Sequence, residues 1–186
     1  MRVAVYGGSF DPPHVAHRLT AAYVLAVGGF ERVLVLPVHE HAFGKRLAPF
    51  EDRLELCRRC FRGLADVEVS ALESELPAPN YTERTLECLR ERHPDYDLGL
   101  VIGSDVLADT ANWHDFPRVA ALAPPFVVTR AGYERPELGP ALLPDISSTH
   151  VRALLARRGQ PGADRELRWL VPVSVLEYVD ERGLYR

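Results

Sequence analysis

The stretch Arg2-Val3-Ala4-Val5-Tyr6-Gly7-Gly8-Ser9-Phe10-Asp11-Pro12-Pro13-His14-Val15-Ala16-His17 decides the fold. Arg2 to Tyr6 is short, apolar and rich in β-branched residues, the pattern of a buried strand. Gly7 and Gly8 end it, and without Cβ atoms they let the backbone come close to a ligand. Pro12 and Pro13 fix φ just before the apolar run Val15 to Val27, as suits the first turn of a helix. A strand thus runs through a glycine turn into a helix N-terminus, where free N–H groups and the positive end of the dipole favour an anion. His14 and His17, three residues apart, share one face of that first turn. Both imidazoles can donate charge-assisted hydrogen bonds to phosphoryl oxygens.

The chain has 186 residues and a formal net charge of −4. Its length suits one α/β domain over residues 1–186. The charge gives no broad basic surface for nucleic acid, so a polyanionic substrate must be small and held by local positive charge. No apolar run is long enough to span a membrane and no signal segment precedes the first strand, which predicts a soluble, cytoplasmic protein without membrane partners. An odd count of three cysteines makes no disulfide framework. Cys57 and Cys60 lie within a helical pattern without a second ligand pair and read as ordinary thiols, not a zinc site. No metal site is expected.

Outward from the opening stretch, the chain alternates. Arg32 to Leu36 is the second strand, and strand–helix–strand order implies a right-handed crossover and parallel pairing. A loop from Val38 to Ala48 carries His39, His41 and Lys45. Two histidines alternating along an extended segment point apart, which disfavours a shared metal. Phe50 to Gly63 reads as an amphipathic helix, Val67 to Val69 as a strand and Glu73 to Pro79 as a loop. Asn80 with Glu83 reads as a capping pair opening a helix from Tyr81 to Arg92. Leu98 to Ile102 is the most apolar short run, a central strand ended by Gly103-Ser104-Asp105. A short helix, a helix from Pro117 to Leu122 and a strand from Phe126 to Thr129 follow. Arg130 to Pro140 reads as a surface loop. A short strand through Ile146 is expected to lead into a helix ending near Arg158, with a turn from Gln160 to Asp164 and a closing helix from Pro172 to Arg182. The class is a doubly wound, Rossmann-like parallel sheet with ligands at the carboxyl ends of the strands.

Every polar cluster follows a strand: Gly7 to His17, His39 to Lys45, Gly103 to Asp105 and Ser147 to Arg152. In an open parallel sheet those ends lie along one edge, so the clusters should converge. The string Gly7-Gly8-Ser9-Phe10-Asp11-Pro12-Pro13-His14 with His17 resembles the signature of the HxGH nucleotidyltransferases, with Ala16 where that family usually has glycine. Ile146-Ser147-Ser148-Thr149-His150-Val151-Arg152 resembles the family's I-S-S-T-x-x-R element, although Ser and Thr are also ordinary helix caps. Tyr81-Thr82-x-x-Thr85 is similar to its S-Y-T-x-x-T element, with Asn80 in place of serine. Trp113 follows Gly103-Ser104-Asp105 at a spacing that resembles the family's for an aromatic that stacks on a pyridine ring, with His114 where the family usually has tyrosine. The end of the chain, Val171 to Val179 and Gly183-Leu184-Tyr185, also looks like nicotinate-nucleotide adenylyltransferases.

That resemblance implies a site. Gly7, Gly8, Ser9, Phe10, Gly103, Asp105, Ser147, Ser148 and Thr149 would bind ATP. Tyr81, Thr82 and Trp113 would bind the acceptor mononucleotide, and His14, His17, Lys45 and Arg152 would be catalytic. The family's lysine follows a Pro-Pro-His run, whereas here His41 and Lys45 are separated by three residues. The implied reaction is adenylyl transfer from ATP to nicotinate mononucleotide, giving deamido-NAD and pyrophosphate, with Mg²⁺ arriving on ATP. The substrate's 5′-phosphate is already an ionised nucleophile, and no serine–histidine–acid arrangement asks for a covalent intermediate. Direct in-line attack is therefore expected, driven by positioning and charge neutralisation. Alternatives are nicotinamide mononucleotide or phosphopantetheine as acceptor, or a nucleotide-binding module without catalysis. Self-association as a homo-oligomer is left open.

Overall fold

The computed structural model describes residues 1–40, 44, 46–107 and 109–186. Strands β1 (Arg2–Gly8), β2 (Arg32–Pro37), β3 (Val67–Val69), β4 (Asp97–Gly103) and β5 (Pro125–Val128) form one sheet in the order β3-β2-β1-β4-β5. All four pairings are parallel. The helices are α1 (Val15–Val27), α2 (Phe50–Phe61), α3 (Thr82–Arg92), α4 (Ser104–Leu107), α5 (Phe116–Leu122), α6 (Ser148–Leu155), α7 (Pro161–Leu170) and α8 (Val173–Arg182).

Strand alternation sorts the core into two layers. Ala4 and Val101 turn to a layer that includes Val24 of α1, Leu56 of α2, Val151 of α6 and Leu167 of α7. Val3, Val5, Leu100 and Ile102 turn to the other, against Leu86 of α3 and Val119 of α5. The chain winds β1-β2-β3 to one side and then crosses over to β4-β5. The carboxyl ends of β1 and β4 therefore flank the point where the winding reverses, the place where an open α/β sheet binds ligands.

Three expectations change. No strand forms through Ile146, which is buried in the core without sheet pairing, and α6 begins directly at Ser148. A whole helix, α7, occupies the region where only a turn from Gln160 to Asp164 was expected; it has just two fully buried positions, Ala163 and Leu167. Asn80 does not cap α3. Tyr81 holds the cap position, because the Asn80 amide is engaged by Glu40 N–H and the Glu73 carbonyl instead.

Candidate active site

A cleft of about 1120 Å³ opens at the carboxyl ends of β1 and β4. Its floor is the glycine turn. A Cβ on Gly8 would stand 3.1 Å from the Phe10 ring, so a side chain there would require the ring to give way by a few tenths of an ångström. Phe10 holds a positive φ of 46° and is only 2% exposed. Its ring packs edge-on against His17 (5.0 Å between centroids) and Phe61 (6.2 Å). Phe10 lines the cleft, and its ring is core that supports the histidines, since an aromatic ring is better buried than solvated.

His14 is the N-cap of α1 and its backbone N–H donates to His17 Nδ1 at 3.2 Å. The two rings stack with centroids 3.7 Å apart and 25° between planes. His14 is 3% exposed, and burial, helped by Arg130, pulls its pKa down to about 3. Burial holds His17 well below the usual imidazole range too, with His14 and Arg130 adding to it. Both rings are thus neutral in the free protein, and charge assistance from them waits on an anion that restores the cationic form. Since His17 Nδ1 accepts, its proton sits on Nε2, which makes that atom the donor of the ring. His14 Nδ1 is buried without a partner.

The second phosphate element converges on the first. Ser147 caps α6, accepting from His150 N–H at 3.2 Å. Ser148 Oγ donates to the Pro12 carbonyl at 2.9 Å, joining residues 136 positions apart. Ser147, Ser148 and Thr149 line the cleft together with Gly7, Gly8, Ser9, His14 and His17. Arg152 does not line it. Its guanidinium donates to the Asp11 carbonyl at 2.6 Å and to Thr149 Oγ1 at 3.3 Å, and lies 3.7 Å from the Asp11 carboxylate. A nearly buried carboxylate outcompetes open solvent for the cation. Asp11 also accepts from Tyr185 OH at 2.8 Å and Ala48 N–H at 3.2 Å. Lys45 and His41 lie outside the described residues, while the His39 ring packs edge-on against Phe50.

At the end of β4, a Cβ on Gly103 would collide with the Asp105 carboxylate, so any side chain there would displace Asp105 from its present position. Asp105 Oδ2 accepts from Arg130 at 3.2 Å, and its buried Oδ1 has no partner, leaving an acceptor at the cleft wall. Arg130 is a site residue that the sequence reading placed on a surface loop. Its backbone N–H donates to Ser104 Oγ at 2.9 Å, and its guanidinium reaches the Ile146 carbonyl at 3.4 Å. Its position just after β5 was the available signal, since the clusters at Gly7, His39 and Gly103 also follow strands, whereas the one at Ser147 does not.

The other half of the cleft is aromatic. Tyr81 stacks on His114 at 4.6 Å and 27°, and His114 Nδ1 pairs with the buried Glu83 at 2.6 Å. Trp113, partly exposed, rests edge-on against Phe116 at 5.8 Å and faces the cleft beside Thr82. Glu73 is a further cleft residue missed in the sequence, where it read as part of a loop. It sits in a 3₁₀ turn (Leu72–Glu75), 8% exposed, and burial pushes its pKa up to about 7. Cys57 and Cys60 are core thiols, and burial pushes Cys60 up to about 12.

A parallel sheet with a glycine turn, two histidines and a capped helix around one cleft defines a nucleotidyltransferase of the cytidylyltransferase-like family, whose model matches residues 5–154. The chain is 50% identical over 187 residues to a protein of Anaeromyxobacter sp. (strain K) named probable nicotinate-nucleotide adenylyltransferase, covering 99% of this chain and 96% of that one. A relative of the same name in Myxococcus xanthus (strain DK1622) is 41% identical, covering 100% of this chain and 95% of that one. Within the wider class, the chain belongs to the nicotinate-nucleotide adenylyltransferase family. The fold matches Plasmodium falciparum nicotinic acid mononucleotide adenylyltransferase complexed with NaAD, with a TM-score of 0.84 at 19% identity over 99% of this chain and 97% of that one. The same protein complexed with APC gives 0.81 at 18% identity over 99% and 96%.

Proposed function

We propose that this chain transfers the adenylyl group of MgATP to nicotinate mononucleotide, forming deamido-NAD and pyrophosphate as a single nucleotidyltransferase domain acting in the cytoplasm. The observation that carries this reading is the meeting of Gly7–His17 and Ser147–Thr149 at one end of a cleft whose other end holds Tyr81, Thr82 and Trp113. Family membership supports the same acceptor.

In the proposed reaction an oxygen of the mononucleotide 5′-phosphate attacks the α-phosphorus of ATP. A P–O bond forms there as the bond to the β-phosphate bridging oxygen breaks, and pyrophosphate leaves with that electron pair. His17 donates from Nε2 to an α-phosphoryl oxygen and His14 assists, both gaining proton affinity as negative charge approaches. The amino end of α1 adds the positive end of its dipole. Ser148 and Thr149 hold outer phosphates at the amino end of α6, and Asp105 accepts from a ribose hydroxyl. Arg152, resting on Asp11 in the free protein, and Lys45 are proposed as outer-phosphate contacts. Mg²⁺ is part of the nucleotide substrate, held largely by its phosphates. Trp113 offers the stacking face for the pyridine ring.

The test is pyrophosphate release from MgATP with nicotinate mononucleotide, nicotinamide mononucleotide and phosphopantetheine as parallel acceptors. Turnover with nicotinate mononucleotide well above the other two is expected. Higher turnover with another acceptor overturns the substrate assignment, and ATP binding without any turnover overturns the enzymatic reading.

A further inference from the structure

Glu73 and Asn80 carry no proposed contact with either substrate, yet both are buried and line the cleft. One Glu73 carboxylate oxygen accepts from Thr85 Oγ1 of α3 at 3.1 Å, and the other from the backbone N–H of His39, just past β2, at 3.3 Å. The Asn80 amide donates to the Glu73 carbonyl at 2.8 Å and accepts from Glu40 N–H at 2.7 Å. Asn80 N–H donates in turn to the Glu40 carbonyl at 3.1 Å. Two side chains thus fasten three segments: the exit of β2, the 3₁₀ turn and the amino end of α3, which carries Tyr81 and Thr82.

We propose that Glu73, together with Asn80, is a positioning residue for acceptor binding: it fixes the exit of β2 against the amino end of α3 and so sets where Tyr81 and Thr82 stand. The inference rests on the reading that this half of the cleft takes the mononucleotide. A carboxylate is a costly fastener in a buried place, as its raised proton affinity shows; the Thr85 hydroxyl, the His39 amide and the Arg53 guanidinium oppose that rise. An apolar residue would fill the same space without that cost, but it would leave the His39 N–H unmatched and the Thr85 hydroxyl with only the Tyr81 carbonyl, at 3.4 Å. On the phosphate side the corresponding fastening is done by other groups, Asp11 and Ser148, so the two halves should respond separately.

The experiment measures calorimetric binding of nicotinate mononucleotide and, separately, of a non-hydrolysable ATP analogue, alongside KM for both substrates, in the full chain and in Glu73→Ala and Glu73→Gln. Glu73→Ala is expected to weaken mononucleotide binding and raise its KM about tenfold or more, the equivalent of one lost hydrogen bond to a charged group, while binding of the ATP analogue stays within about twofold. Glu73→Gln, which keeps the shape and an acceptor, should restore most of the loss. Equal weakening of both ligands, no weakening of either, or failure of Gln to rescue overturns the proposal. Should Glu73→Ala fail to fold, Asn80→Ser cuts the same fastening while leaving the carboxylate, and it must show the same acceptor-selective loss. Absence of mononucleotide binding in the unsubstituted chain overturns both the functional reading and this one.

Discussion

At the β1 end of the cleft the groups facing a ligand are backbone N–H groups and two neutral imidazoles, whereas at the α3 end they are aromatic faces backed by the buried carboxylates Glu73 and Glu83. The first end is preorganised by chain geometry: a strand, two glycines and a helix start suffice. The second depends on side chains arriving from segments that only the finished fold brings together. The contrast follows from the ligands proposed for each. Phosphates are served by any array of donors, while a flat ring needs surfaces held at a set spacing.

The largest effect should come from the phosphate end. His17→Ala is expected to lower kcat on the order of 10²–10³-fold, the cost of one preorganised donor, with little change in acceptor affinity. Steady-state pyrophosphate release reads it, and an unchanged kcat would break the comparison by showing that the backbone alone does the work there.

Arg53 ties the two ends and should give the next effect. Its 1% exposed side chain donates to the carbonyls of Ala48 (2.9 Å), Ser9 (3.0 Å) and His39 (3.4 Å). Arg53→Met leaves three carbonyls without that donor and should cost on the order of 3 kcal/mol in denaturant unfolding. A loss below about 1 kcal/mol would mean that the two halves stand independently.

The ends should also differ in the sign of their pH dependence. His14 binds a proton at about 3 when folded and near the ordinary imidazole value of 6.5 when unfolded, so its share of stability is full above 6.5 and is lost as pH falls towards 3. Glu73, raised from 4.5 to about 7, works the other way: folding favours its protonated form, and stability falls as pH rises from 4.5 to 7. Comparing unfolding at pH 5 and pH 7.5, Glu73→Gln should lose the second trend and keep the first. The expected difference is of the order of 1–3 kcal/mol. The exposed Arg92–Glu75 pair should contribute no more than about 0.5 kcal/mol, as a control on surface ion pairs.

The same contrast governs what could be read in the sequence. The β1 end was legible almost residue by residue, because strand period, glycine turn and helix start are local. Trp113 and Tyr81 were legible only through the family resemblance. Glu73 and Arg53 were not legible as site-building residues at all: one looked like a polar loop position and the other like the polar face of α2, and each is buried only because distant chain covers it. Arg130 became a cleft residue through the pairing of β5 with β4, where Gly103 stands opposite Val128. Helix α7 was missed because only two of its residues are fully buried among charged neighbours. Asn80 was misread as a cap because its amide has longer-range partners than a helix start.

The Asp11 carboxylate gathers Ala48, Arg152 and Tyr185, the last 174 positions further along the chain. During synthesis the glycine turn emerges early, but its tether to Tyr185 cannot form until the chain through Tyr185 has left the ribosome. A nascent or truncated chain ending before Tyr185 would carry the complete phosphate motif with a partner of Asp11 missing. Closing a loop of this length is slow, so this tether should form after the local glycine turn and helix start that it holds.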